Sequence, residues 1–232
     1  MAEEIRERLA RVRDQIARAA QRAGRSEKNI TLIAVSKTFD QATVQQAVLA
    51  GARDLGENRV QEALTKVALI EGDVRWHLIG HLQSNKARQA VETFDVIHTI
   101  DSCQLTERLD RLAGETRRRP TVMVQVDLAH EPAKSGADES ELPAIIEALD
   151  AAHNLDFRGL MVIPPFFDSP EQTRPYFRRL RDILEGLNRG RGPDQKLTEL
   201  SMGMSHDFEA AIEEGATMVR VGTAIFGERE KQ

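Results

Sequence analysis

Eight short apolar or β-branched runs, separated by amphipathic helical stretches, recur along this sequence, and that alternation limits its fold more than any other feature. The runs cover residues 30–36, 54–56, 76–80, 96–100, 121–127, 157–163, 198–202 and 218–222. Several are nearly continuously apolar, as in Leu32-Ile33-Ala34-Val35, which suits strands covered on both faces. The second and seventh carry the weakest strand pattern. Strands that alternate with helical segments build βαβ units on a parallel sheet. Eight parallel strands in 232 residues close most economically into a barrel, although an open doubly wound sheet would show similar periodicity. We therefore expect an α/β fold, a single (β/α)8 TIM-type barrel.

Local punctuation agrees with that pattern. Asp40, Ser102 and Ser205 stand where helix N-caps belong, and Gly51 and Gly215 where helices stop. Ahead of the first run, Ile5, Leu9, Val12 and Ile16 alternate spacings of four and three, continue through Ala19 or Ala20 to Ala23, and end at Gly24. This predicts an extra N-terminal helix over 1–24, packed on the barrel, in one domain spanning 1–232. The stretch from Gly186 to Pro193 reads as a loop inside that domain.

The charge balance excludes some functions. A formal net charge of −5 leaves no basic surplus to neutralise phosphates, so no nucleic-acid binding is expected, and Arg117-Arg118-Arg119 reads as a solvated helix end. Cys103 is the one cysteine, which rules out an intrachain disulfide and gives no sign of an oxidising compartment. No apolar run approaches a membrane span. Glu3, Glu4, Glu7 and Asp14 are acidic residues that a mitochondrial presequence lacks, so the start reads as mature helix in a cytoplasmic protein.

Parallel barrels place their chemistry at the C-terminal strand ends. Here those ends carry Ser36-Lys37, Gly56-Glu57-Asn58, Gly80-His81, His98-Thr99-Ile100-Asp101, Asp127, the Pro164-Pro165 pair after Met161, Ser201-Met202-Gly203-Met204-Ser205 and Gly222-Thr223. Lys37 emerges from an apolar strand into a partly desolvated mouth, where an amine becomes nucleophilic and suited to Schiff-base chemistry. An isolated lysine at a strand end is ordinarily a solvated side chain, so the opposing loops carry the weight. Barrels often bind phosphate after strands 7 and 8, and both loops here offer small residues, hydroxyls and amides. Either loop alone reads more readily as a capped turn; together they favour phosphate. Arg220 faces the same side as Gly222 and needs an acceptor, either a ligand pyridine nitrogen or a barrel carboxylate such as Asp127 or Glu57.

Other constellations carry less. The consecutive side chains of Ser205-His206-Asp207 diverge and cannot form a relay. His77 and His81 flank a strand without a completing Glu or Cys set, so no metal site is expected. Cys103 reads as a small packed residue near a helix start.

With these segments, and with His77-Leu78-Ile79-Gly80-His81-Leu82-Gln83-Ser84-Asn85-Lys86, Lys134-Ser135-Gly136 and Arg220-Val221-Gly222-Thr223-Ala224-Ile225-Phe226-Gly227, nearly the whole chain resembles the pyridoxal phosphate homeostasis protein family. These are barrels that bind pyridoxal 5′-phosphate (PLP) and are related to the N-terminal domain of alanine racemase. The resemblance implies that Lys37 forms the Schiff base, that Ser201, Gly222 and Thr223 hold the phosphate, that Arg220 faces the pyridine nitrogen, and that Asn58 and Met161 line the ring. His81 departs from the family pattern, where proline is more usual. A permanently protonated guanidinium opposite the ring nitrogen weakens the ring as an electron sink. The tyrosine-bearing second domain of racemases is missing, and Tyr176, the one tyrosine, falls in a helix. The resemblance thus implies a PLP carrier or regulator with little or no turnover, a monomer or weak homodimer, whose partners are PLP and apo PLP-dependent enzymes. Two alternatives stay open: a PLP-dependent amino-acid racemase or lyase, and a sugar-phosphate isomerase or aldolase with Lys37 as the amine.

Overall fold

The computed structural model describes residues 2–129 and 135–228. Its strands are β1 (Thr31–Val35), β2 (Asp54–Glu57), β3 (Arg75–Leu78), β4 (Val96–Ile100), β5 (Thr121–Gln125), β6 (Asp156–Met161), β7 (Glu199–Met204) and β8 (Met218–Val221). They form a closed barrel in sequence order, every pairing parallel, with β8 returning to β1 in the register Ile33↔Arg220. The fold is the expected (β/α)8 barrel. The expected strand bounds shift by one or two residues: β1, β5 and β8 are shorter than expected, β2 and β7 run further at their C-terminal ends, and β4 matches. Beyond β5, for example, Val126 keeps only an isolated bridge to Ala137.

The helices are α1 (Ala2–Arg22), α2 (Gln41–Leu49), α3 (Val60–Val67), α4 (Ala87–Thr93), α5 (Cys103–Thr116), α6 (Leu142–Ala151), α7 (Arg174–Asn188), α8 (Phe208–Glu213) and α9 (Thr223–Phe226). Asp40 caps α2 by accepting from the Thr43 amide at 2.8 Å, and Ser102 caps α5 by accepting from the Leu105 amide. Ser205 does not cap α8: Asp207 holds that position. The stretch expected as a loop from residue 186 is also corrected. Helix α7 runs through Asn188, because Leu187 continues its packed face against the core before Gly192-Pro193 breaks the chain direction. Arg117 ends α5 in the left-handed region, with Arg117, Arg118 and Arg119 exposed.

Helix α1 buries Ile5, Leu9, Val12, Ile16, Ala19 and Ala20 against α2, α8 and α9. Its polar edge reinforces that seat. Arg13 donates to the Gly51 carbonyl at 2.7 Å, and Arg22 pairs with Glu209 and Glu213 at 2.8 and 2.6 Å.

The barrel lumen is filled in tiers, as side chains alternate between its inside and the helical layer. Ile33, Val96, Met123 and Met218 form an apolar plug separate from the main core. Two residues further along their strands, His98 follows Val96 and Arg220 follows Met218, so a buried polar tier lies above the plug. Above that tier the lumen opens at the C-terminal strand ends.

Candidate functional site at the barrel mouth

A cavity of about 480 Å³ occupies this mouth, a volume within the range of cofactor-sized sites. It is lined by Lys37 after β1, Asn58 after β2, Arg220 on β8, and Gly222 and Thr223 beyond it. These expected site residues come together from distant parts of the chain. Met161 and Ser201 are fully buried and stand off the lining. Ser201 is turned inward, its hydroxyl held by Arg220 and His98. The hydroxyl that does line the cavity on the β7 side is that of Ser205, whose Oγ accepts the Gly222 amide at 3.1 Å and so ties the two loops together.

The lysine is positioned by its neighbours. On β2, Glu57 points out of the lumen into the layer under α3, where it is fully buried. Its Oε1 accepts from Ser36 Oγ at 2.6 Å and from Lys66 Nζ of α3 at 2.7 Å. Lys66 also donates to the Ser36 carbonyl and to Glu62, both at 2.8 Å, and Glu62 accepts the Thr38 amide. The residues on either side of Lys37 are thus gripped by one buried ionic cluster. Thr38 sits at φ +70°, a conformation that a β-branched residue keeps only when its surroundings hold it there. Burial pushes the Glu57 carboxyl up, opposed by the Lys66 and Ser36 hydrogen bonds.

Asn58 is set by a close backbone approach. A Cβ on Gly80 would lie 2.3 Å from the Asn58 carbonyl oxygen, so only glycine lets the ends of β2 and β3 meet at the mouth. Opposite, Arg220 donates from NH1 to Ser201 Oγ at 2.7 Å and from NH2 to the Val162 carbonyl at 2.9 Å. Burial lowers its pKa to about 10, with Asp207 opposing the shift. It therefore stays protonated near neutral pH. Of the two carboxylates anticipated as its partner, Glu57 belongs to the lysine cluster outside the lumen. The rim carries Phe166, whose exposed ring tilts over His206 at 5.5 Å, and His81, which pairs with Asp101 at 3.3 Å.

The sequence matches the family described as alanine racemase, N-terminal domain, over residues 8–230. It is 44% identical to the pyridoxal phosphate homeostasis protein of Pseudomonas aeruginosa, covering 97% of this chain and 96% of that one. The chain belongs to the pyridoxal phosphate homeostasis protein family. A second member, from Aquifex aeolicus, is 41% identical over 97% of this chain and 98% of its own. Among solved structures, PipY of Synechococcus elongatus with PLP bound superposes with a TM-score of 0.86 at 45% identity, covering 96% of this chain and all (100%) of that one. Alanine racemase of Clostridium difficile shares the fold, with a TM-score of 0.72 at 15% identity, and this chain covers 61% of it.

Within this family member, the sequence reading placed Ser205 in the β7 loop but gave the phosphate to Ser201, and it missed Gln125 and the Lys66 cluster. Gln125, the inward residue that ends β5, lines the cavity and donates to the Ser135 carbonyl. Its signal was available, since it is the polar end of an otherwise apolar strand. Lys66 had a weaker signal, the i,i+4 spacing from Glu62. Lys134, part of the Lys-Ser-Gly segment, lies outside the described residues. His77 and His81 diverge, His77 being buried in the lumen and His81 exposed at the rim.

Proposed function

We propose that this chain holds PLP as a Schiff base on Lys37 within a single barrel domain over 1–232, and serves PLP homeostasis as a carrier or regulator with little or no turnover. The observation that carries the reading is the meeting of Lys37, Arg220 and the joined β7 and β8 loops on one cofactor-sized cavity. When bound, PLP supplies an aldehyde carbon, a phosphate dianion and a pyridine ring. Lys37 is the amine for the first. Ser205 and Thr223 offer hydroxyls, and Thr223 its amide, to the second beside Gly222, and Arg220 donates toward the ring nitrogen. Asn58 flanks the ring. Met161 serves as wall behind the lining, and Ser201 supports Arg220 instead of touching phosphate. The names of the relatives and the PLP-bound PipY point the same way.

A carrier follows better than a racemase from what faces the cavity. A protonated guanidinium only donates, so Arg220 leaves the ring nitrogen unprotonated and the ring a poor electron sink. Tyr176 lies in α7 beside Phe167, ring centroids 6.0 Å apart, and is not on the lining, so it offers no second acid or base. The proposed setting is the cytoplasm, as a monomer or weak homodimer that exchanges PLP with apo-enzymes. Among the described residues no helix is long and apolar enough to cross a membrane.

The test is a spectrum of the purified protein, then borohydride reduction and peptide mapping. We expect a visible band fixed by reduction to the Lys37 peptide and lost in Lys37→Ala. No band after PLP is added, or a reducible adduct at full occupancy in Lys37→Ala, refutes the assignment. Steady turnover of a free amino acid refutes the carrier role.

A further inference from the structure

From Arg220 a continuous line of buried polar side chains crosses the lumen toward the other end of the barrel. Arg220 NH1 lies 2.7 Å from Ser201 Oγ, which lies 2.9 Å from His98 Nδ1. His98 Nε2 is 2.9 Å from His77 Nδ1, and His77 Nε2 is 2.9 Å from Asp54 Oδ1. Ser201, His98 and His77 are fully buried, and Arg220 and Asp54 nearly so. At the far end Asp54 Oδ1 also forms an ion pair with Arg75 at 2.7 Å, whose side chain is 56% exposed. Asp54 lines a second cavity, under α1, away from the mouth.

Donor and acceptor chemistry gives this line a direction. A guanidinium only donates and a carboxylate only accepts. Asp54 therefore requires a hydrogen on His77 Nε2, which leaves Nδ1 of a neutral His77 ring to accept. Burial above all holds the His98 pKa well below the usual imidazole value, so His98 is neutral and carries one ring hydrogen. That hydrogen belongs on Nε2, donated to His77, and His98 Nδ1 accepts from the Ser201 hydroxyl. Ser201 Oγ in turn accepts from Arg220. Every bond then points from Arg220 to Asp54, and each polar atom along the line has its partner.

We propose that Ser201, His98, His77 and Asp54 form a one-way hydrogen-bond relay that positions Arg220 and couples the guanidinium at the cavity floor to the carboxylate at the opposite end. They are positioning residues, since Arg220 alone reaches the cavity. Each neutral ring has one hydrogen, so a reversal at Asp54 must be copied at His77 and His98. The low dielectric of the lumen strengthens this coupling, because polarised bonds reinforce one another. Histidines that merely filled space would not transmit a change in this way. The link to a bound ring rests on the proposed PLP function; the relay itself does not.

Nitrogen NMR of the PLP-free protein near neutral pH tests the relay directly. We expect His77 and His98 both neutral with the hydrogen on Nε2. A hydrogen on Nδ1 of either ring, including an imidazolium at His77, overturns the proposal. Asp54→Asn then tests transmission: the ring-nitrogen resonances of His98, which Asp54 does not touch, should move. In the PLP-loaded variant the visible band should shift at unchanged PLP stoichiometry. Unmoved His98 resonances, or an unshifted band, overturn the coupling. If Asp54→Asn does not fold, Arg75→Gln at an exposed position perturbs the same carboxylate, and His98 resonances unchanged from the parent overturn it equally. A protein that takes up no PLP refutes the proposed function and leaves the relay to be decided by the nitrogen resonances.

Discussion

Lys66→Met removes the ammonium that neutralises Glu57 while keeping most of the side chain's volume. Breaking a buried ion pair from one side typically costs about 3–5 kcal/mol. Here the cost has a ceiling, because Glu57 can take up a proton instead of staying charged. Each pH unit above the ordinary carboxylate value of 4.5 costs about 1.4 kcal/mol, so the ceiling is about 3.4 kcal/mol at pH 7 and about 0.7 kcal/mol at pH 5. The lost hydrogen bonds to Glu62 and the Ser36 carbonyl add about 1 kcal/mol at either pH. The direction follows from linkage. Burial raises the folded pKa of Glu57 above its unfolded value, so its contribution is fully present below about 4.5 and is lost as pH rises through the folded pKa. Removing Lys66 raises that pKa further and widens the loss. Urea unfolding at the two pH values should therefore show a deficit of up to about 4 kcal/mol near pH 7 that shrinks to no more than about 2 kcal/mol near pH 5, with the slope m unchanged. Adding Glu57→Gln should recover most of the deficit near pH 7. A deficit equal at both pH values, or a double variant no better than the single one, refutes the view that Lys66 neutralises a buried charge beneath Lys37.

Gly80→Ala should destabilise the chain by about 1–3 kcal/mol in thermal unfolding, and lower PLP occupancy, because its Cβ meets backbone that cannot swing aside. Ser205→Ala removes the hydroxyl that ties the β7 and β8 loops, and should weaken PLP affinity roughly tenfold in a spectroscopic titration, the equivalent of one hydrogen bond. The hydrogen bond from Arg178, opposed by burial and aided by Arg174, holds the Glu214 carboxyl below its usual range. Its stabilisation is present above the unfolded value and lost as pH falls through the folded one, so Glu214→Gln should flatten the acid limb of a stability profile.

The barrel was legible because its strands are buried on both faces and its helices on one, so two hydrophobic periods alternate along the chain. The meeting of Lys37, Asn58, Arg220, Gly222 and Thr223 at one mouth was legible for a related reason: a strand end in a parallel barrel is a place as well as a sequence position. Ser201 and Ser205 show where that reasoning stops. Both belong to the β7 segment, but the register between β7 and β8 shifts between Ser201 and Met204, and Gly203 turns at φ +91° between them. The first serine is thereby left inside the polar tier and the second brought to the cavity. No hydropathy pattern encodes that shift, which depends on how a bulged strand meets its neighbour. The lumen line from Asp54 to Arg220 was hidden more deeply, since its residues lie on β2, β3, β4, β7 and β8 and touch only once the barrel is closed. Each alone is a polar residue in an apolar strand, which local rules count as a defect. Together they satisfy one another, so the same burial that makes each costly makes the complete set specific.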